Sequence, residues 1–338
     1  MKTEDFNYDL PPELIAQEPA KERTLSRLMI VNRKNKNTEN KMFTDILDYL
    51  KKGDVLVFND SKVLKARLIG EKEETKAKIE ILLLRSEDQD TWEVLAKPAR
   101  RVKVGTVIKF SDKLTGTCLS EAEEGIRKIK FSFSGDFETI LEEIGTMPLP
   151  PYITGRDFEE SRYQTVYAKN AGSVAAPTAG LHFTPEILET IRQKGVETVF
   201  LTLHVGLGTF KPVEAEDIKD HQMHEEMYTV SEEAALALNK AKNEGRRIIA
   251  IGTTSIRTLE SNYRDGFIAE TSPTGIFIYP GYQFKTIDGL LTNFHLPKST
   301  LMMLISALAG KELIFKAYEE AIKERYRFFS FGDAMLIL

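Results

Sequence analysis

The chain has 338 residues and a formal net charge of −5, so no global positive field draws it to nucleic acid, and RNA contact would need a local basic patch. Its 42% hydrophobic and 29% charged residues are those of a soluble globular protein, and its length exceeds the ~250 residues of a usual single core, so two domains are expected. A single cysteine, Cys118, excludes an internal disulfide, no apolar run reaches the ~18 residues of a membrane span, and no apolar leader is visible, so a cytoplasmic protein is expected. In chain order, Gly53–Phe58 reads as a buried strand. Six short β-rich runs follow, at Val63–Ile69, Ile79–Leu84, Trp92–Ala96, Thr106–Phe110, Thr115–Leu119 and Ile126–Phe133. With no helix among them, they predict a small closed antiparallel barrel.

Beyond residue 150, strands and helices alternate. Val199–Val205 is a strand, then Ser231–Asn243 a helix with Ser231 as N-cap and Gly245 past its end. Strand Arg247–Ile251 precedes a helix from about Thr254, strands Gly275–Tyr279 and Leu290–Phe294 come next, and helices Ser299–Ala309 and Glu312–Arg325 close the chain. This alternation predicts an α/β fold: a mainly parallel sheet with helices on both faces, carrying an inserted six-stranded antiparallel barrel. Residues 1–62 and 150–338 would form the discontinuous α/β domain and residues 63–149 the barrel, with the chain returning through Pro148–Pro151.

All five histidines fall between residues 182 and 295, in runs rich in turn formers or carboxylates. Histidine alone has an unperturbed pKa, ~6.5, suited to proton transfer near neutrality. His221 and His224, with Glu225, have a metal-like spacing if they lie on a helix, but neither zincin order is present. No metal site is expected, and acid/base work or a solvated loop stay open for them. His204 ends a strand and runs into Gly206-Leu-Gly208, where a ligand could approach the backbone; a core histidine satisfied by a carbonyl is the alternative. His182 and His295 sit in similar loops, each followed by a capped helix start, at Thr184 and Ser299. Thr253, Thr254 and Ser255 open a helix after a strand, with Arg257 one turn inside, an arrangement suited to an anion or to ordinary capping. Lys97, Arg100, Arg101 and Lys103 form a run of four cations without an acid, either phosphate contacts or a solvated loop.

Together these motifs resemble the S-adenosylmethionine:tRNA ribosyltransferase-isomerase family of queuosine biosynthesis, over nearly the whole chain. The likeness starts at Phe6–Gln17 and includes Val57–Lys62, Lys97–Lys103 and Ala175–Phe183. It continues through the His204, His221/His224, Gly252–Ser261 and His295 motifs to Tyr326–Met335. After Phe58 the family commonly has Asn-Asn-Thr-Arg, whereas this chain has Asn-Asp-Ser-Lys, so no forked guanidinium stands at Lys62.

The resemblance implies an α/β domain with an inserted barrel. It also implies a reaction that moves and rearranges the ribosyl unit of S-adenosylmethionine onto 7-aminomethyl-7-deazaguanine in a GUN-type tRNA anticodon. Adenine and methionine leave, and epoxyqueuosine-tRNA forms. S-adenosylmethionine would be a consumed substrate, with no prosthetic group, and a monomer without membrane attachment is expected. On this reading His182, His204 and His295 transfer protons, with His224 and Glu225 as an orienting pair. Thr253, Thr254, Ser255 and Arg257 would hold the methionine carboxylate or a ribose hydroxyl. Lys97, Arg100, Arg101 and Lys103 would contact tRNA phosphates, and the target base would unstack against Tyr279, Phe294 or Phe329. Two rivals are a zinc hydrolase built on His221 and His224, and a non-catalytic RNA-binding module.

Overall fold

The computed structural model describes residues 1–150, 152–155, 158–206, 213 and 215–338. The chain folds as two compact units, one of Met1–Ser61, Pro151–Asn170 and Ala176–Leu338, the other of Lys62–Pro150 and Ala171–Ala175.

The elements run β1 (Arg27–Asn32), β2 (Asn37–Met42), α1 (Ile46–Tyr49), β3 (Val55–Asn59) and β4 (Ser61–Val63). Next come β5 (Arg67–Lys72), β6 (Lys78–Ser86), β7 (Thr91–Lys97), β8 (Val107–Ser111), β9 (Leu114–Glu121), β10 (Ile126–Phe133) and α2 (Phe137–Ile144). Then follow β11 (Asn170–Ser173), α3 (Pro185–Gln193), β12 (Glu197–Leu203), β13 (Glu226–Val230), α4 (Glu232–Asn243) and β14 (Ile248–Ile251). The chain ends with α5 (Thr253–Asn262), β15 (Glu270–Thr274), β16 (Gly289–Asn293), α6 (Thr300–Ala309), α7 (Lys311–Lys323) and β17 (Ala334–Ile337).

The first unit holds a nine-stranded sheet in the order β15-β13-β12-β3-β14-β16-β17-β1-β2. The expected parallel sheet is its centre: β12, β3, β14 and β16 run parallel, and antiparallel pairings extend it toward both edges, apart from the parallel pair β17–β1. Every residue of β3 and β14 is buried, because helices cover both faces of a parallel sheet. Leu56, Phe58, Ile249 and Ile251 pack with Ile187, Leu188 and Ile191 of α3 and Ile46 of α1. Strand alternation turns Val55, Val57, Ile248 and Ala250 the other way, and α5 packs against β14, β12 and β3. The sequence-predicted helix caps are made: the hydroxyls of Thr184, Ser231 and Ser299 accept from the backbone N–H of Ile187, Ala234 and Met302.

The second unit is a closed barrel of β10-β7-β6-β5-β8-β9, with Ile140 and Leu141 of α2 in its core. Closing so small a barrel brings strands too near for side chains at Gly70 and Gly116. A Cβ there would lie 2.6 Å from Phe110 and 2.7 Å from Ile129.

Two predicted strands differ from the structure. Val63–Ile69 is broken, β4 ending at Val63 and β5 starting at Arg67. The strand expected at Gly275–Tyr279 lies instead at Glu270–Thr274, and residues 275–279 are irregular. Pro273 disguised it; a proline is tolerated there because β15 is an edge strand, whose outward side needs no N–H donor.

Candidate active site

Because β12, β3, β14 and β16 are parallel, their carboxyl ends share one edge of the sheet, where an open α/β sheet leaves room for ligands. Leu201 pairs with Asn59 and Ile251 with Leu291, so the four chain ends are neighbours. They lead into His204, Asp60, the start of α5, and Asn293 to His295.

The Asn59 side chain extends the β3–β12 ladder: Nδ2 donates to the Leu203 carbonyl and Oδ1 accepts from the Leu203 N–H, both at 3.0 Å. The Asp60 carboxylate, buried beside it, accepts from the Thr202 hydroxyl at 2.7 Å and from Asn170 Nδ2 at 3.1 Å to each oxygen. A cavity of about 470 Å³ opens here, lined by Asp60, Lys169, Asn170, Phe200, Thr202 and Ser231 among others. His204 is half-buried, and its Nδ1 is buried without a hydrogen-bond partner among the described residues. Burial pushes its pKa down and the charge of Asp60 pushes it back up. At neutral pH this is an uncharged imidazole with a free nitrogen beside a carboxylate, the chemistry of a general base.

The other two rim histidines are engaged. His182 Nδ1 lies 3.0 Å from the Ser26 hydroxyl and Nε2 3.2 Å from Asn293 Nδ2. Burial first, then the charges of Arg23 and Arg327, push its pKa down to about 3. His295 Nε2 lies 2.9 Å from the Thr292 hydroxyl, and burial takes its pKa to about 3. Both are neutral at physiological pH, and both nitrogens of His182 are committed.

At the start of α5, the Thr254 hydroxyl is buried with no partner among the described residues. The buried Ser255 hydroxyl is committed, donating back to the carbonyl of Ile251 at the end of β14, at 2.8 Å. Arg257 Nη1 donates to Glu226 Oε2, and the other Glu226 oxygen accepts from the Gly206 N–H at 2.9 Å. Nε and Nη2 of Arg257 are buried without partners among the described residues, which leaves two aligned donors for an anion.

His224 and Glu225 are not brought to this rim as an orienting pair; both are exposed. Nor do His221 and His224 lie on a helix: a single turn at Ile218–Asp220 gives way to irregular chain, and the His221 ring packs edge-on against Phe277. Strand alternation buries Glu226 with Tyr228 and Val230, and Glu225, just ahead of the strand, is exposed. Among the described residues no three His, Cys, Asp or Glu side chains converge as a metal-binding set. Phe294 and Phe329 are buried, so neither offers a ring face to a base, and Tyr279 is half-buried. Residues 207–210 of the glycine-rich run lie outside the described residues.

In the barrel, Lys97, Arg100, Arg101 and Lys103 are all exposed. Only Lys103 has an acidic partner among the described residues, Glu121 at 3.1 Å. Buried Arg127 shapes this loop from beneath, donating to the carbonyls of Val102 (2.7 Å) and Ala99 (2.9 Å). Residue-by-residue reading missed Asp60, Glu226 and Asn293 as site residues. The rule that sheet ligands bind at strand carboxyl ends was the available signal for Asp60 and Asn293.

Residues 3–337 match the family described as "Queuosine biosynthesis protein". The chain is 58% identical over 340 residues to the S-adenosylmethionine:tRNA ribosyltransferase-isomerase of Clostridioides difficile (strain 630), covering 100% of each chain. Its fold is similar to the crystal structure of the S-adenosylmethionine tRNA ribosyltransferase of Thermotoga maritima, with TM-score 0.56, 41% identity, and coverage of 99% of this chain and 100% of that one. In sequence along its length and in fold, the chain belongs to the queuosine biosynthesis protein family.

Proposed function

We propose that this chain transfers and isomerises the ribosyl unit of S-adenosylmethionine onto 7-aminomethyl-7-deazaguanine in the anticodon of GUN-type tRNA, releasing adenine and methionine. The observation that carries this reading is that neighbouring parallel strands carry to one sheet edge an imidazole nitrogen on His204, a buried carboxylate on Asp60, and donors on Thr254 and Arg257, the nitrogen and the donors without partners among the described residues. A sulfonium acidifies the adjacent C5′ hydrogen, so a neutral imidazole placed there can take that proton. Electron flow then opens the ribose and expels adenine, which takes up a proton. The neutral aminomethyl nitrogen adds to C4′ of the resulting vinyl sulfonium and loses a proton. The C5′ carbanion so formed closes on the C1′ aldehyde, and the C1′ oxyanion displaces methionine from C5′ to leave the epoxide.

On this reading His204 is the base and Asp60 raises its basicity. Thr254 and Arg257 hold the methionine carboxylate or a ribose hydroxyl. His182 and His295, uncharged and tied to Ser26, Asn293 and Thr292, hold the loops of the rim in place rather than shuttle protons. The barrel loop Lys97–Lys103 contacts tRNA phosphates. The test is to incubate the protein with S-adenosylmethionine and tRNA bearing 7-aminomethyl-7-deazaguanine. Equimolar adenine, methionine and epoxyqueuosine-tRNA are expected. No adenine release, or release without tRNA modification, overturns the reading.

A further inference from the structure

A second cluster of cations lies in the first unit, around a small pocket of about 20 Å³ lined by Arg23, Ser26, Arg162, His182, Ser330 and Gly332 among others. Two arginines clasp each other's chain segments across it. Arg23 donates to the carbonyls of Leu181 (2.8 Å), Gln164 (2.7 Å) and Ser161 (3.3 Å). Arg162 reciprocates, donating to the carbonyls of Ala20 (2.7 Å) and Lys21 (3.1 Å). Arg327 adds a third guanidinium on the Glu18 carbonyl.

Carbonyl dipoles carry only partial charge, and among the described residues no carboxylate pairs with Arg23 or Arg162. The two cations are close enough that Arg162, after burial, lowers the pKa of Arg23. Arg162 Nε is buried without a partner among the described residues. Segments held only for structure could be joined by neutral side chains without this repulsion. Two fixed guanidinium charges beside a pocket, with no carboxylate partner among the described residues, are instead matched to an oxyanion.

The pocket's size narrows the choice. Its volume is of the order of one water molecule, enough for the tip of a tetrahedral oxyanion carried on a strand and too small for a whole metabolite. It shares His182 with the rim, since His182 also reaches Asn293 at the end of β16. We propose that the Arg23–Arg162 clasp binds a backbone phosphodiester of the tRNA substrate, anchoring the strand beside the site its base enters. This rests on the tRNA reading above.

The experiment compares full-length wild type with Arg23→Gln, Arg162→Gln and the corresponding Lys variants, using an anticodon stem-loop RNA as probe over a range of KCl concentrations. Each Gln variant is expected to weaken stem-loop binding about ten-fold and to lower the slope of log K against log salt by about 0.7–1. The KM for S-adenosylmethionine should stay unchanged. The Lys variants keep one positive charge and should keep the slope, although they lose the fork; they also guard against misfolding of the Gln forms. An unchanged slope in folded Gln variants overturns the proposal, as does weaker binding that only follows a lower Tm. A raised KM for S-adenosylmethionine with an intact slope also overturns it, pointing to a carboxylate in the pocket. Binding slopes are read without turnover, so a wild type that releases no adenine overturns the proposed function separately.

Discussion

Arg257 and Glu226 form an ion pair whose side chains are 7% and 4% exposed, at the foot of α5 and the start of β13. Removing one member of such a pair leaves the other charge buried, at a cost of about 3–5 kcal/mol. Arg257→Ala is therefore expected to lower stability by about that much in urea titration, and the Arg257→Ala/Glu226→Gln double variant to recover part of it. Arg257→Lys keeps a charge for Glu226 but loses the fork. It should raise the KM for S-adenosylmethionine about ten-fold with a smaller effect on kcat, and an unchanged KM would remove Arg257 from substrate binding.

His204 and Asp60 should separate from His182 in kinetics. His204→Gln is expected to lower kcat about 10²–10⁴-fold with Tm nearly unchanged, because its Nδ1 makes no hydrogen bond within the described structure. Asp60→Asn keeps the side chain's shape and should lower the apparent pKa of the basic group in the kcat/KM profile, since the Asp60 charge raises the pKa of His204. A pH profile identical to wild type would detach Asp60 from the base.

Acid stability follows from His182 and His295, both held near pKa 3 by burial. An unfolded histidine titrates at ~6.5, so between about pH 6.5 and 3 the unfolded chain binds more protons than the folded one. Their stabilisation is complete above pH 6.5 and falls as pH drops through that window, each contributing up to about 1.4 kcal/mol per pH unit. His295→Asn should flatten the slope of unfolding free energy against pH by about one histidine's share between pH 6 and 4. A slope equal to wild type would show that His295 is protonated in the fold.

The barrel loop divides into exposed charge and buried support. Arg100→Gln/Arg101→Gln should leave Tm unchanged and reduce the salt slope of tRNA binding by about two if both contact phosphates. Arg127→Met should behave oppositely. It removes donors from the carbonyls of Ala99, Val102, Ala122 and Ile126, and should destabilise the barrel by about 3 kcal/mol or more. Equal stability of Arg127→Met and wild type would contradict that support role.

Much of this architecture was legible in local pattern. The barrel strands alternate apolar and polar residues, and Ser231 and Ser299 announce their helices through hydroxyls that reach only three residues ahead. What escaped depends on distant partners. β1 pairs in parallel with β17, Leu28 beside Ala334, and neither strand announces the other. That Glu226, the first residue of β13, turns inward while Glu225 just ahead of it is exposed is set by the register of β13 against β15 rather than by composition. Asp60 gains its meaning from Asn170 and Thr202, which lie 110 and 142 residues further along the chain. The free nitrogen of His204 and the engaged ones of His182 are likewise products of packing.

The double hydrogen bond from the Asn59 amide to Leu203 gives that main-chain proton an unusual keeper. In an ordinary ladder a strand N–H exchanges with solvent when two backbones part, but here its partner is a buried side chain that the Ser61 N–H also holds, at 3.1 Å. The Leu203 amide, one residue before His204, is thus freed only when Asn59 lets go and water reaches this buried edge. Hydrogen–deuterium exchange at this single position reads out how often the rim opens, without any substrate or label at the site itself.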